Sequence, residues 1–160
     1  MTLPRLARCL RDRSGQTVVE SALSIGIVIV VLIGILELTI ALYDYNYVAY
    51  AAREGTRWAM VRGSACTLLN DCNATASQIQ SYVQGLGYPL IQPSSLTVAT
   101  TWLSKSTSTP TTWSTCSTSP CNAPGNEVQL VVNYPFTMEI PLVGNISLNL
   151  NSTSSMVISQ

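Results

Sequence analysis

The sequence contains no histidine among its 160 residues and only one phenylalanine, and few of its residues are charged. Without histidine there can be no Ser-His-Asp triad, no Cys-His pair and no imidazole metal cage. The acidic residues beyond the longest apolar run, Glu54, Asp71, Glu127 and Glu139, are scattered and form no acid–base motif. There is also no phosphate-binding loop and no dinucleotide fingerprint. We therefore expect a protein that is not an enzyme and that uses neither a cofactor nor a metal.

The charges are unevenly placed along the chain. Charged residues make up 10% of the sequence, and eight basic residues balance eight acidic ones. The first 15 residues hold Arg5, Arg8, Arg11 and Arg13 against Asp12, which gives this end a charge of +3 and the remainder −3. Four arginines beside an apolar run are too few to indicate nucleic acid, so we expect no such partner. They favour a cytoplasmic N-terminus under the positive-inside rule.

The longest apolar run lies between Ser21 and Tyr43. Its 23 residues include one charged residue, Glu37. As a helix they would reach about 35 Å, enough to cross a hydrocarbon core of about 30 Å. The apolar part of a secretory signal is shorter, at about 7 to 15 residues. The run therefore predicts a single transmembrane helix, and a cytoplasmic N-terminus would put the C-terminal part outside the cytoplasm. Cleavage by signal peptidase after Ala51 is the alternative.

The helix is expected to continue beyond the membrane. Residues 43–62 contain no proline, and Tyr43, Tyr47, Tyr50 and Glu54 recur at the spacing of one helical face. Gly55 in this half indicates close packing, because glycine is otherwise costly inside a helix. The continuous helix would end near Gly63, with an amphipathic second half.

The remaining residues, 64–160, predict a small domain with both helix and strands. A short helix is expected from Ala74 to Gln84, with Asn73 as its N-cap. Three β-branched or alternating stretches, residues 95–103, 127–136 and 145–159, predict antiparallel strands. Three strands alone bury too little apolar surface to be stable. We therefore expect an α+β fold in which the long helix packs on a small antiparallel sheet. A Ser/Thr-rich loop, residues 106–119, joins the first two strands.

Five cysteines divide between the two sides of the membrane. Cys9 is expected in the cytoplasm, whereas Cys66, Cys72, Cys116 and Cys121 would face an oxidising exterior. The spacing favours two short disulfides, Cys66–Cys72 and Cys116–Cys121, although four cysteines allow three connectivities. A zinc site is disfavoured because neither spacing is C-x2-C.

Two acidic residues stand at and inside the apolar run. A charged side chain at the centre of a membrane helix costs about 2.5–3.5 kcal/mol on insertion scales. The simple interpretation is that Glu20 reaches headgroup water and that Glu37 is protonated or hydrated at the outer interface. A sharper hypothesis joins Glu20 to Gly15. A cut after Gly15 would leave Gln16 as the new N-terminus, and Glu20 could then pair with the α-amine of a neighbouring subunit.

Two stretches carry a resemblance to a known family. The segment RSGQTVVESALS resembles a type IV prepilin leader and cleavage site, with Gly15 before the cut and Glu20 five places after it. The segment GILELTIALYDYNYVAYAAREGTRWAMV resembles the TadE-like pseudopilins of tight-adherence (Flp, type IVc-like) pili. The matching positions are a glycine, a late acid, an Ala-Arg-Glu-Gly motif and a further arginine: Gly34, Glu37, Ala52, Arg53, Glu54, Gly55 and Arg57.

The resemblance implies a minor pilin or pseudopilin with a pilin-like fold, anchored in the inner membrane by a single span. It divides the chain into a basic leader, residues 1–15, a membrane-spanning and extended helix, residues 16–63, and an extracytoplasmic domain, residues 64–160. The implied partners are prepilin peptidase, other pilins contacted through helix packing, an inner-membrane assembly platform and membrane lipid. The sequence departs from common patterns at three positions. Classical type IV pilins commonly have a hydrophobic residue in place of Gln16, major Flp pilins usually have tyrosine in place of Ser21, and many relatives have proline in place of Gly26. An uncleaved single-pass protein with an external binding domain and a type II secretion pseudopilin are the alternatives.

Overall fold

The computed structural model describes residues 13–106 and 112–160, with only the backbone of Arg13 and Ser14. Most of the predicted leader, including Cys9, and residues 107–111 of the Ser/Thr-rich loop lie outside these residues. The first element, α1, spans Arg13–Met60 and contains 48 residues, a length of about 72 Å. The predicted continuous helix is confirmed, although it ends three residues before Gly63. Within the described part of the chain, α1 is the one helix long and apolar enough to cross a membrane.

A second helix, α2, spans Ala76–Gly85 and buries Ile79 and Val83. The prediction of Asn73 as its N-cap is wrong. Thr75 is the cap: its Oγ1 accepts from the Gln78 backbone N–H at 3.4 Å, and the Thr75 N–H donates to Gln78 Oε1 at 2.9 Å. The reason is the Thr-x-x-Gln spacing, which allows a reciprocal capping box that Asn73 does not offer. One turn of 3-10 helix follows at Pro93–Ser95.

The sheet has four antiparallel strands in the order β2-β1-β3-β4. Their bounds are Thr97–Lys105 for β1, Trp113–Thr115 for β2, Glu127–Ile140 for β3 and Gly144–Val157 for β4. The α+β class and the three predicted strands are confirmed. The edge strand β2 was not predicted, because it has only three residues, all exposed. Strand β3 also runs four residues beyond its predicted end at Phe136.

The strand register divides the β3–β4 hairpin into two parts. Strand β1 pairs with β3 only from Glu127 to Asn133, whereas β4 pairs with β3 along its whole length, as far as Ile140↔Gly144. Residues 134–150 therefore form a two-stranded extension, which we call the distal ribbon. Pro135 fits there because it has no neighbouring strand on the β1 side, where a central strand would need its missing N–H.

The core lies between the second half of α1, helix α2 and the sheet. Val128, Leu130 and Val132 of β3 are fully buried, in alternation with outward-facing residues. The buried stripe of α1 consists mostly of small residues, which let the sheet approach closely: Ala41, Asp44, Tyr47, Val48, Ala51, Ala52, Gly55, Thr56 and Ala59. The first half of α1 extends beyond this core, and its aliphatic side chains from Leu23 to Leu36 are mostly 50–70% exposed.

Candidate assembly surface on the long helix

The residues expected at the processing site lie at the exposed beginning of α1. Gly15 and Gln16 are exposed, and a Cβ added to Gly15 would meet nothing within 4 Å. Glu20 is exposed one turn later, and its backbone carbonyl accepts a hydrogen bond from Ser24 Oγ at 2.9 Å. The bond between Gly15 and Gln16 therefore lies in an exposed part of the helix. After a cut there, the new α-amine on Gln16 would lie one helical turn from Glu20.

The two acids of the apolar run face different surroundings. Glu37 is half-buried, on the stripe that continues to Ala41 and Asp44, whereas Glu20 is exposed to whatever surrounds the helix. The two acids are 17 residues apart, about 25 Å along the helix axis. The structure therefore does not bring them together, and any shared role would have to involve a neighbouring chain.

The Ala-Arg-Glu-Gly motif divides between packing and surface. Ala52 is fully buried, and a Cβ on Gly55 would lie 2.6 Å from Val83 Cγ2 and 2.8 Å from Leu130 Cδ2. Glycine is required here because α1 presses directly on α2 and β3. Arg53 and Arg57 lie on the other side of the helix and are exposed. The predicted motif thus places its small residues in the core and its arginines on the surface.

Glu54 and the aromatic residues around it link α1 to α2. The Tyr82 hydroxyl donates to Glu54 Oε1 at 3.5 Å. Burial and then the nearby Glu54 carboxylate raise the pKa of Tyr82. The Tyr82 ring stacks on Trp58 at a centroid distance of 5.0 Å, and the Arg62 guanidinium lies 4.3 Å from the centroid of the Trp58 ring. This stack fixes the end of α1 against α2.

The tyrosines predicted on one helical face meet a single partner. Tyr43, Tyr47 and Tyr50 lie 5.7, 4.3 and 6.4 Å from Tyr88, measured between ring centroids. Only Tyr47 is buried, at 3% exposure. The shared face is therefore present, and it holds the loop after α2 against the helix directly beyond the apolar run.

Asp44 is the residue of greatest interest that the sequence reasoning did not single out. Its side chain is only 2% exposed, and its Oδ1 has no hydrogen-bond partner. Burial raises the pKa of Asp44. Tyr134 of β3 lies nearby, and burial, together with the Asp44 carboxyl, raises the pKa of Tyr134. The helical spacing of the sequence could have revealed that this acid points into the core, because Asp44 lies on the same face of α1 as three apolar residues: Ala41, Val48 and Ala51.

The four external cysteines form two disulfides, Cys66–Cys72 and Cys116–Cys121, with Cα–Cα distances of 5.3 and 5.6 Å. Both close short loops at the end of the molecule opposite the apolar run. The Asn122 side chain links these loops by donating to Asn73 Oδ1 at 2.6 Å. In the described ranges, no group of three or more His, Cys, Asp or Glu side chains is placed to hold a metal ion.

Comparison with known proteins identifies a family that resembles part of the chain. The family model described as TadE-like protein matches residues 15–57. No curated protein and no solved structure matches the chain. The matched stretch runs from Gly15 through Glu20 and Glu37 to Arg57, so it covers the matching positions named in the sequence analysis but neither the basic leader nor the sheet. Over residues 15–57 the resemblance to TadE-like proteins is confirmed.

Proposed function

We propose that the chain is a minor pilin or pseudopilin, a structural or assembly-priming subunit of a tight-adherence pilus. It is made with a basic leader, is anchored by residues 21–43 with its N-terminus in the cytoplasm, and is cut by prepilin peptidase after Gly15. The observation that carries the proposal is the TadE-like match along a helix whose apolar half projects beyond the core. A helix that is apolar on all sides and exposed requires lipid or other helices around it.

The two halves of α1 are suited to different roles, one in the fold and one in assembly. Its second half supplies one layer of the folded core, whereas most aliphatic side chains of its first half stay exposed, with the tip of the β3–β4 hairpin beside them. This leaves Glu20 and the aliphatic side chains available to neighbouring helices, which associate in lipid by packing rather than by hydrophobicity. We assign the chain no catalytic role and infer no cofactor.

The identity of the first residue of the protein isolated from membranes tests the processing step. N-terminal sequencing should find Gln16. Met1 or Thr2 would identify an uncut single-pass anchor, and Ala52 would identify a product of signal peptidase. The last outcome is disfavoured by the fold, because Ala51 and Ala52 are fully buried under the sheet. A cut between them would remove the helix from its own core.

The pairing role of Glu20 has its own test. Glu20→Ala should leave cleavage after Gly15 largely intact and lower recruitment of the subunit into pili, because the neighbouring α-amine loses its partner. Asp71→Asn, which neutralises an exposed acid in the Cys66–Cys72 loop beyond the other end of α1, is the matched control. Normal recruitment of Glu20→Ala would refute the pairing without refuting the family. Co-purification with tight-adherence or type II secretion components would decide between the two machines.

A further inference from the structure

The distal ribbon lies along the apolar half of α1. The base of the hairpin is held at the end of α1, where the Ser159 N–H donates to the Met60 carbonyl at 3.0 Å. From this end the 14 residues of β3 extend about 46 Å, which equals the rise of about 30 helical residues. The tip should then lie beside the middle of the apolar run. Leu142 at the tip indeed lines a cavity of about 320 Å³ together with Ala22, Gly26 and Val30.

The two faces of the distal ribbon differ in polarity. Phe136 and Met138 face the core and are each 8% exposed. The residues between and beside them point outward and pair across the ribbon as Pro135↔Asn149, Thr137↔Ser147 and Glu139↔Asn145, all exposed. The ribbon therefore covers the helix with an apolar face and presents a polar face with one carboxylate to its surroundings.

This arrangement conflicts with a bilayer around residues 21–43. If lipid surrounded the helix there, the polar face of the ribbon would lie in hydrocarbon. Strand β4 is also the edge of the sheet, so its unpaired backbone groups would lie there too. Open sheet edges exposed to lipid do not occur within the hydrocarbon region, because each unsatisfied group costs several kcal/mol. A seated ribbon and a lipid-surrounded helix therefore exclude each other.

The ribbon is built so that it can leave the helix without unfolding the rest of the sheet. Beyond Asn133 it has no third strand, and two-stranded ribbons are marginally stable on their own. Its tip is loosely seated: Leu142 is 96% exposed, and Cβ atoms added to Gly26 or Gly34 would meet nothing within 4 Å. The part of the sheet that includes β1 lies on the other side of Asn133 from the ribbon, as do the two disulfides. Neither needs to change when the ribbon leaves the helix.

We infer that the distal ribbon and the hydrocarbon of a phospholipid bilayer are alternative covers for one face of α1. The ribbon is released when residues 21–43 span the membrane, and it seats on the helix when that segment leaves the lipid. The inference rests on the proposed membrane insertion. It assigns the ribbon the task of shielding apolar surface that would otherwise be exposed to water.

Paired cysteines in a full-length Cys9→Ser chain test the inference. Val30→Cys with Leu142→Cys reports the seated ribbon, because both positions line the cavity at the tip. Val28→Cys with Leu142→Cys is the matched control, since position 28 lies on the other side of the helix. Met60→Cys with Ser159→Cys reports the intact hairpin base. Each pair is treated with a short thiol cross-linker in phosphatidylethanolamine–phosphatidylglycerol vesicles and in lipid-free buffer.

We expect the 30–142 pair to cross-link in buffer and about tenfold less in vesicles, the ratio that a preference of about 1.4 kcal/mol would give. The 60–159 pair should react equally in both, and the 28–142 pair in neither. In vesicles, a membrane-impermeant maleimide should label Leu142→Cys and leave Val30→Cys unlabelled. Equal 30–142 yields in vesicles and buffer, or a protected Leu142→Cys, would overturn the inference. If the protein resists extraction from the vesicles by sodium carbonate, the proposed anchoring stands even when the inference about the ribbon fails. If carbonate extracts the protein, both proposals fail.

Discussion

Gly55→Ala tests whether α1 is pressed against its neighbours at the TadE-like motif. At an open helical position this change would stabilise the helix by about 1 kcal/mol. At Gly55 the new methyl group would lie 2.6 Å from Val83 Cγ2 and 2.8 Å from Leu130 Cδ2, and both side chains are fully buried. Overpacking of this kind typically costs about 1–3 kcal/mol. We therefore expect a net loss of up to about 2 kcal/mol in the free energy of unfolding.

The measurement is urea unfolding of the full chain in mild detergent micelles, followed by fluorescence of the half-buried Trp58 and Trp102. Gly85→Ala is the matched control, because a Cβ there would meet nothing within 4 Å. Adding Val83→Ala to Gly55→Ala should recover part of the loss through a favourable coupling of about 0.5–3 kcal/mol. If Gly55→Ala instead stabilises the protein as much as Gly85→Ala, the close approach of α1 to α2 and β3 is wrong.

Three further predictions concern single contacts. Burial raises the pKa of Asp44 above its ordinary 3.8, so the folded state favours the neutral carboxyl group. The contribution of Asp44 to the free energy of unfolding is therefore fully present below pH 3.8 and is lost as the pH rises through the raised pKa. Asp44→Asn should remove this fall in unfolding free energy, and a pH dependence unchanged from wild type would contradict it. Thr75→Ala should cost about 1 kcal/mol by removing the capping box, seen as a lower urea midpoint; an unchanged midpoint would exclude a capping role. Replacing Cys116 and Cys121 by serine should cost roughly 2 kcal/mol in the chain-entropy model. Equal unfolding free energies of this variant and wild type would contradict that estimate.

The regular elements could be predicted because their signals are local. A proline-free run with an apolar half predicts α1, and alternating β-branched residues predict β1, β3 and β4. Strand β2 was missed because three exposed residues after a Ser/Thr-rich loop carry no period; its pairing with Lys105, Ser104 and Leu103 of β1 decides its conformation. The N-cap was misplaced by two residues because Asn73 is a good cap in isolation, whereas Thr75 gains a second hydrogen bond from Gln78.

The candidate site was predictable to a different degree at each residue. Gly15, Gln16 and Glu20 are recognised by spacing alone, and their roles in processing and assembly stay predictions. The packing role of Gly55 follows from its cost inside a helix. The burial of Asp44 was harder to foresee, because an acid next to a membrane interface usually reaches water. The length of β3 was missed as well, since a strand rule that ends at Pro135 and Phe136 hides the ribbon beyond them.

The two halves of α1 have residue patterns that serve opposite needs, and the change falls between Ala41 and Asp44. From Ala41 to Ala59 the buried positions are mostly small, which brings the sheet close to the helix and fixes its geometry. From Leu23 to Leu36 branched aliphatic residues surround the helix and stay mostly exposed, so this half gains its stability from its environment. Enlarging a small residue after Asp44 should therefore damage folding while sparing membrane insertion. Polar replacements before Ala41 should damage insertion while sparing the fold. One helix can serve both needs because the stripe of small residues and the surface of branched aliphatic residues occupy successive parts of it, which meet near Ala41.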